Sequence, residues 1–334
     1  MTNNTPYIDL LIATYNEEKN IEECLSAVLN QTYTISKIKI YIIDGGSTDQ
    51  TIEIINRIAN FNKNIIILSN PDKFQAFAWN KAIRLSNSPY ISIISAHSII
   101  APDYIKNAIE ILQNDEIALT GGHMVAKGNG NVSSAIAKLH HSKFGLGVSK
   151  FHDVSYEGFV DTVYTFNFRR ETLTKNGLFN TLLLRNQDIE LAGRIRKNGG
   201  KIFLSSSLDA IYVPRNNIVS FVKQFFNNSK FLFDTLSFTK SALSIRHFIP
   251  LMYILFILIS FLFIVIYNVP FMTYFLFAIW GIYFNIIFFF SVKLSDSIIQ
   301  FIILFFLHPL LHVVYGVGTL VGGLQMCFRK IKQL

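Results

Sequence analysis

The order of apolar and polar positions divides this chain into two regimes. In the first, apolar runs of strand length alternate with amphipathic stretches of helix length. Ile8–Thr14 reads as a buried strand, and Lys19–Asn30 as a helix presenting Ile21, Cys24, Leu25 and Val28 on one face. Ile38–Ile43 is a second strand, followed by a helix ending near Ala59 and a third strand over Asn64–Leu68. A helix over Gln75–Leu85, a strand over Tyr90–Ile94 and a helix from Pro102 to about Gln113 continue the alternation. Strand, helix, strand, helix, strand predicts an α/β fold around a mostly parallel sheet, with loops at the carboxyl ends of the strands forming a crevice. Further on, Arg185–Gly200 reads as a helix whose Gly199-Gly200 end tolerates a left-handed cap, followed by a short strand over Lys201–Leu204.

The second regime begins at Phe248. From there to Arg329 only Lys293 and Asp296 are charged. Phe248–Tyr267 and Phe271–Ser291 are each long enough to cross ~30 Å of hydrocarbon, and the tight link Asn268-Val269-Pro270 makes them a hairpin. Arg246, His247 and Lys293 flank it as the positive-inside rule requires of a cytosolic globular part. Ile298–Leu324 has two readings. A simple crossing would place Arg329, Lys330 and Lys332 outside, against that rule. Pro309 and the glycines 316, 318, 322 and 323 would instead allow a broken, re-entrant segment. His308 and His312 share a helix face, and pairing across helices is the plainer account of them. The expected organisation is a globular domain over 1–230, an interfacial linker over 231–247, a membrane domain over 248–324 and a basic tail over 325–334. Before the spans, Ile218–Phe226 interleaves aromatics with cations, which suits either an interfacial helix or a buried docking helix.

Composition narrows the class. With 334 residues, 51% hydrophobic, the chain can hold one large α/β domain beside its apolar part. The net charge of +8 comes without a long basic run or a nucleic-acid motif, so it points to an anionic membrane surface and phosphate-bearing substrates rather than to nucleic acid. Two cysteines far apart, Cys24 and Cys327, make neither a disulfide framework nor a zinc site. The polar N-terminus carries no hydrophobic signal region, which fits a cytosolic domain on an inner, cytoplasmic membrane.

Candidate chemistry lies at the strand ends. Thr14-Tyr15-Asn16-Glu17 could hold a nucleoside or simply open a helix. In Asp44-Gly45-Gly46-Ser47-Thr48-Asp49, capping of the next helix accounts for Ser47 to Asp49 but not for Asp44, which could accept from a base N–H or a ribose hydroxyl. Ser95-Ala96-His97 would meet a diphosphate. A lone histidine such as His97 is more often hydrogen-bonded than metal-bound. Asp188 sits in the first turn of its helix, where the dipole favours an ionised carboxylate; the plainer reading pairs Asp188 and Glu190 with Arg194, Arg196 and Lys197.

Taken together, Ala13–Glu18, Ile43–Asp49, Ser95–His97, Gly121–Met124, Ala135–Ala137, Phe144–Gly147, Val160–Val163, Arg185–Asp188, Tyr212–Arg215 and His312–Gly318 resemble family 2 glycosyltransferases of the GT-A fold, and more narrowly the ExoA-like succinoglycan-biosynthesis branch. The resemblance implies that Thr14, Tyr15, Asn16, Glu17 and Asp44, with Ser95, Ala96 and His97, surround a nucleotide sugar, the donor it implies being UDP-linked. It implies that Asp188 is the catalytic base, with Arg185 and Gln187 on the acceptor side or supporting it. An inverting transfer needs one carboxylate to take the acceptor proton and positive charge against the departing diphosphate, from Mg²⁺, Mn²⁺ or cationic side chains. Ser95 stands where relatives carry an acid, which leaves His97 as the metal-capable residue and puts metal dependence in question. Gln187 stands where an acid commonly precedes the base, and removes like-charge repulsion from Asp188. No Gln-X-X-Arg-Trp motif follows the base, so one sugar rather than a polymer is the expected product, added to a polyprenyl-diphosphate-linked saccharide. The rival reading is a catalytically silent homologue that binds nucleotide sugar within an assembly complex.

Overall fold

The computed structural model describes residues 5–146, 149–267 and 270–331. Gly147 of the Phe144–Gly147 motif, Asn268 and Val269 of the hairpin link, and the tail from Lys332 lie outside them. The chain forms two compact units. The first comprises Met1–Val125, Asp153–Tyr212 and Thr239–Ala242; the second comprises Ala126–His152, Val213–Phe238 and Leu243–Leu334.

In the first unit β1 (Ile8–Thr14), α1 (Ile21–Leu29), β2 (Ile38–Asp44), α2 (Thr51–Ala59), β3 (Ile65–Ser69), α3 (Gln75–Leu85) and β4 (Tyr90–Ile93) follow the alternation read in the sequence. Then come β5 (Ser98–Ile100), α4 (Tyr104–Leu112), β6 (Ile117–Gly121) and β7 (Met124–Ala126). After α5 (Asn131–His141) of the second unit, the first resumes with β8 (Gly158–Phe159), β9 (Phe166–Arg169), α6 (Arg170–Asn176), α7 (Gln187–Lys197), β10 (Lys201–Leu204) and β11 (Ala210–Tyr212).

Eight strands form the main sheet in the order β3-β2-β1-β4-β9-β6-β10-β8, and β5, β11 and β7 form a second, small sheet. β1 pairs in parallel with both β2 and β4, so the order reverses at β1 and a crevice opens at the carboxyl ends of these strands. β9 runs antiparallel between β4 and β6. The strand pattern above contains no β9: Phe166-Asn167-Phe168 places a polar residue at the sheet centre. That residue is satisfied there, for the Asn167 amide takes the Ser92 hydroxyl at 2.6 Å and donates to Tyr104 Oη at 2.7 Å and to the Thr120 carbonyl at 3.1 Å. The core beneath the crevice is aliphatic, built from Leu10, Ile12, Leu25, Ile40, Ile42 and Ile105 among others.

The second unit gathers α5, α8 (Ile218–Lys230), α9 (Leu232–Phe238) and three long helices, α10 (Ile249–Tyr267), α11 (Pro270–Leu294) and α12 (Ile298–Ile331). These three are long and apolar enough to cross a membrane by length and composition. α8 buries Phe221 and Phe225 against Leu304, Leu307, Leu311 and Val314 of α12, as a docking helix does. α12 continues as one helix through Pro309. Its glycines serve close approach. A Cβ at Gly316 would lie 2.2 Å from the Pro250 carbonyl, at Gly318 2.1 Å from Ser229 Oγ and at Gly322 1.9 Å from the Lys230 carbonyl. His308 bonds Ser142 Oγ at 3.0 Å, and His312 bonds Tyr283 Oη and the Phe144 carbonyl, each at 2.9 Å.

Candidate active site

Three strand-end loops meet around the ends of β1, β2 and β4. Asn16 adopts a left-handed backbone (φ +53°), which asparagine tolerates, and its amide oxygen accepts from Thr48 N at 2.8 Å while its N–H donates to Ser47 Oγ at 2.9 Å. Glu17 N donates to Thr51 Oγ1 at 2.7 Å, which ties the first loop to the start of α2. Tyr15 is half exposed.

Asp44 has a local role that helix capping did not suggest. One carboxylate oxygen accepts from Gly46 N at 2.8 Å and Ser47 N at 3.0 Å; the other accepts from Ser47 Oγ at 2.6 Å and Thr14 Oγ1 at 3.3 Å. About four lone-pair sites are thereby filled. A base N–H or ribose hydroxyl reaching Asp44 has to take the place of one of the two hydroxyl donors, which turn freely, rather than of a backbone N–H. Asp49 is the loop's strut, accepting from Thr51 N, Thr51 Oγ1 and Glu18 N, and these bonds leave its carboxyl below the ordinary range even though burial acts in the opposite sense.

The third loop is joined to the first through a histidine. Nδ1 of His97 lies 2.9 Å from Glu17 Oε1, and Nε2 lies 2.9 Å from Ser95 Oγ. A carboxylate only accepts, so in the neutral ring Nδ1 carries the proton and Nε2 offers a lone pair to the Ser95 hydroxyl. The ring edge rests on Tyr212, 5.4 Å between centroids. Ser95, which departs from the acidic pattern, thus completes the histidine's hydrogen bonding. A carboxylate behind an imidazole is also the arrangement that orients metal-binding histidines. Among the described residues no three His, Cys, Asp or Glu side chains converge on a metal position. A cation ligated by His97 Nε2 would have to displace the Ser95 hydroxyl, so the donor set offers at most one protein ligand and not a protein cage.

Asp188 stands in the first turn of α7, after Asn186 in the left-handed region (φ +61°). Burial raises its carboxyl above the ordinary value; the backbone N–H groups of Ile189 and Asp188 itself, and then the Arg185 charge, oppose this without cancelling it. The helix end alone predicted a readily ionised acid; burial is the larger effect. Glu190 follows the plainer reading. It is buried, forms a two-pronged pair with Arg194 at 2.8 and 2.9 Å, and accepts the Thr239 hydroxyl at 2.6 Å.

The link between α7 and the loops runs through residues the sequence did not single out. Asn70 N donates to the Asp44 carbonyl at 2.7 Å, and its side chain donates to the Phe74 carbonyl at 3.1 Å, setting the start of α3. Gln75, the first residue of α3, accepts from Gln187 Nε2 at 3.0 Å beside Asp188. Gln75 is a polar residue at a helix start, a position with no periodic signal, and only the fold gives it this role. The Gln187 Oε1 atom is buried with no hydrogen-bond partner among the described residues.

A mostly parallel sheet whose order reverses at β1, with three loops at that switch point, is the architecture of the GT-A fold. Residues 9–178 match the family model Glycosyl transferase family 2, and the chain belongs to that family. It is 33% identical over 227 residues to the dolichyl N-acetyl-alpha-D-glucosaminyl phosphate 3-beta-D-2,3-diacetamido-2,3-dideoxy-beta-D-glucuronosyltransferase of Methanococcus voltae, covering 65% of this chain and 70% of that protein. It is 28% identical over 223 residues to the succinoglycan biosynthesis protein ExoA of Rhizobium meliloti, covering 65% of this chain and 66% of the relative. The fold is shared with the mannosyltransferase PcManGT from Pyrobaculum calidifontis, solved with GDP-Man and Mn²⁺, at a TM-score of 0.66 and 16% identity over 94% of this chain and 87% of that one.

Proposed function

We propose that this enzyme is a membrane-anchored inverting glycosyltransferase that moves one sugar from a UDP-linked donor to a lipid-linked saccharide during cell-surface glycan assembly. Its globular part faces the cytosol from the inner membrane. The observation that carries the reading is Asp188: a carboxylate raised by burial, at a helix start that hydrogen bonds tie to the loop bearing Asp44. Such a group is suited to take a proton from an acceptor hydroxyl as that oxygen attacks C1 of the donor sugar. Thr14 to Glu17 and Asp44 hold the nucleoside, with the Asp44 hydroxyl donors giving way to it. Arg185 and Gln187 lie on the acceptor side, where Arg185 limits how far burial raises the base. Mg²⁺ or Mn²⁺, when bound by the diphosphate and His97, supplies charge against the leaving group. A lipid-linked acceptor agrees with the dolichyl phosphate in the name of the Methanococcus voltae relative.

The test is transfer by full-length protein in detergent, screened against nucleotide sugars with membrane lipid as acceptor. Asp188→Asn should lower transfer by about 10³-fold or more, within the range a missing base and misplaced proton allow, and leave UDP binding intact. Retained transfer would falsify the assignment of the base. UDP binding by wild type without turnover of any sugar supports the silent reading, which Ser95 favours.

A further inference from the structure

α10 and α11 run antiparallel. Tyr253 packs on Tyr283 (centroids 4.9 Å) and on Trp280 (5.9 Å), and Phe256 packs on Trp280 (6.1 Å). The start of α10 and the end of α11 therefore share one end of the hairpin. α12 leaves from that end after the short turn Ser295–Ser297, where Lys138 of α5 binds the Leu294 carbonyl at 2.6 Å, Gln300 Oε1 at 2.8 Å and Asp296 at 2.6 Å.

A third span would now descend along α11 to the opposite end. For its first turns α12 does follow α11, with Phe301 on Phe288 at 5.5 Å and Phe305 on Phe284 at 6.3 Å. The descent then stops: His312, about two turns further on, bonds Tyr283, next to Phe284. From there α12 leaves α11 and passes the start of α10. Gly316 abuts Pro250 at the start of α10, Gly318 abuts Phe226 and Ser229, Gly322 abuts Lys230, and Arg329 bonds Asp234 at 2.7 Å. Both ends of α12 thus lie at the same end of the hairpin.

Two independent observations agree with this course. The face of α12 turned away from α5, α8 and α10 is an exposed apolar stripe, Ile298, Ile302, Phe306, Val313, Leu324 and Phe328. The face turned inward packs along α8, which carries Lys223, Gln224, Asn227, Asn228 and Lys230 on a single short helix. Those side chains are costly in hydrocarbon but at home among headgroups, so they favour headgroup depth over the bilayer centre for the partner helix.

We propose that α12 is not a third span but lies in the plane of the membrane, with its apolar stripe resting on the acyl chains of the leaflet that meets the α11–α12 turn. The hairpin α10–α11 then makes the only crossing among the described residues. Arg329 sits on the same side as Arg246 and Lys293, and the conflict with the positive-inside rule disappears.

Cys327 is exposed near the end of α12, whereas Cys24 is buried, so the native chain carries its own probe. Full-length protein in right-side-out and inside-out vesicles is treated with a membrane-impermeant maleimide. Ser297→Cys and Phe271→Cys, each with Cys327→Ser, mark the two ends of the hairpin. Cys327 should react in the same vesicle orientation as Ser297→Cys, and Phe271→Cys in the other. Reaction of Cys327 alongside Phe271→Cys means that α12 crosses and overturns the proposal, as does reaction of all three in one orientation. Trypsin on the unmodified protein gives the same comparison without substitutions. Cleavage after Lys293 and Arg329 from one side supports the in-plane helix; cleavage from opposite sides refutes it.

Discussion

At the scale of single residues, the property that matters most at Asp188 is the upward shift of its carboxyl. Burial sets the direction, while Arg185 and two backbone N–H groups restrain it. As the proposed base, Asp188 works only when deprotonated, so activity should fall as the pH drops through this raised value, earlier than an ordinary aspartate would impose. Arg185→Gln removes the restraining charge and should move the acidic limb of kcat further up. Measuring kcat against pH for both proteins checks this, and a limb that stays put in the variant refutes the Arg185 contribution. The sign for stability is the opposite of a salt-bridged acid. An acid raised by folding costs stability above its unfolded value, so Asp188→Asn should melt higher than wild type at neutral pH while losing transfer. The place of Asp188 was legible in the sequence, because a helix start and a glycine stop are local signals. The rise of its carboxyl was not, because desolvation of a half-buried side chain depends on how the rest of the chain packs around the helix start. The same holds for Ser95: the substitution was visible, but its hydrogen bond to His97 required the loop to be folded.

At the scale of elements, two glycine-containing segments show what pattern reading reaches and misses. Gly121-Gly122-His123-Met124 was recognisable as a motif, but the reason for its histidine lies across the fold. His123 is buried, with Nδ1 2.5 Å from Asp209 Oδ1 and Nε2 2.8 Å from the Tyr156 carbonyl. Burial alone would lower its pKa; the hydrogen bond and charge of Asp209, with the Tyr156 carbonyl, outweigh burial and raise it. Protonation of a raised histidine stabilises the fold fully below the unfolded value near 6.5 and is lost as the pH rises through the folded value. The melting temperature should therefore decline from mildly acid to mildly alkaline pH, and Asp209→Asn should flatten that slope. An unchanged slope would show that His123 does not set it. α12 teaches the complementary lesson. Its four glycines looked like breaks, because glycine is a weak helix former when considered alone. Packed against Pro250, Ser229, Lys230 and Phe233 in turn, they are the positions where helices touch. Gly322→Leu should cost about 1–3 kcal/mol by overpacking, read as a lower melting temperature in detergent. Gly281→Leu is the control, since a Cβ there meets nothing within 4 Å.

At the scale of the whole molecule, the boundary drawn from hydropathy and the grouping of the folded chain differ in kind. Hydropathy detects where charges stop, so it places everything before about residue 230 in one globular domain. It has no access to which surface covers which. In the structure, α5 and α8 belong with the apolar helices: Ala135, Ile136 and Leu139 of one and Phe221 and Phe225 of the other are buried together with Leu304, Leu307, Leu311 and Val314. A chain ending at Ala242 would keep the sheet, the three loops and Asp188, yet lose every α12 residue of that cluster. Five apolar side chains would be bared at once, the four larger than alanine each worth roughly 1.5–3 kcal/mol when fully buried, and a patch of that kind drives association. The truncated protein should therefore aggregate or require detergent, even though nothing in its sequence is long enough to cross a bilayer. Light scattering and binding of a hydrophobic dye measure this directly. Replacing the bared positions Ile136, Phe221 and Phe225 with polar residues in the same truncated chain should restore solubility. A truncated chain that is monodisperse without those changes would show that α12 does not provide the cover these helices need.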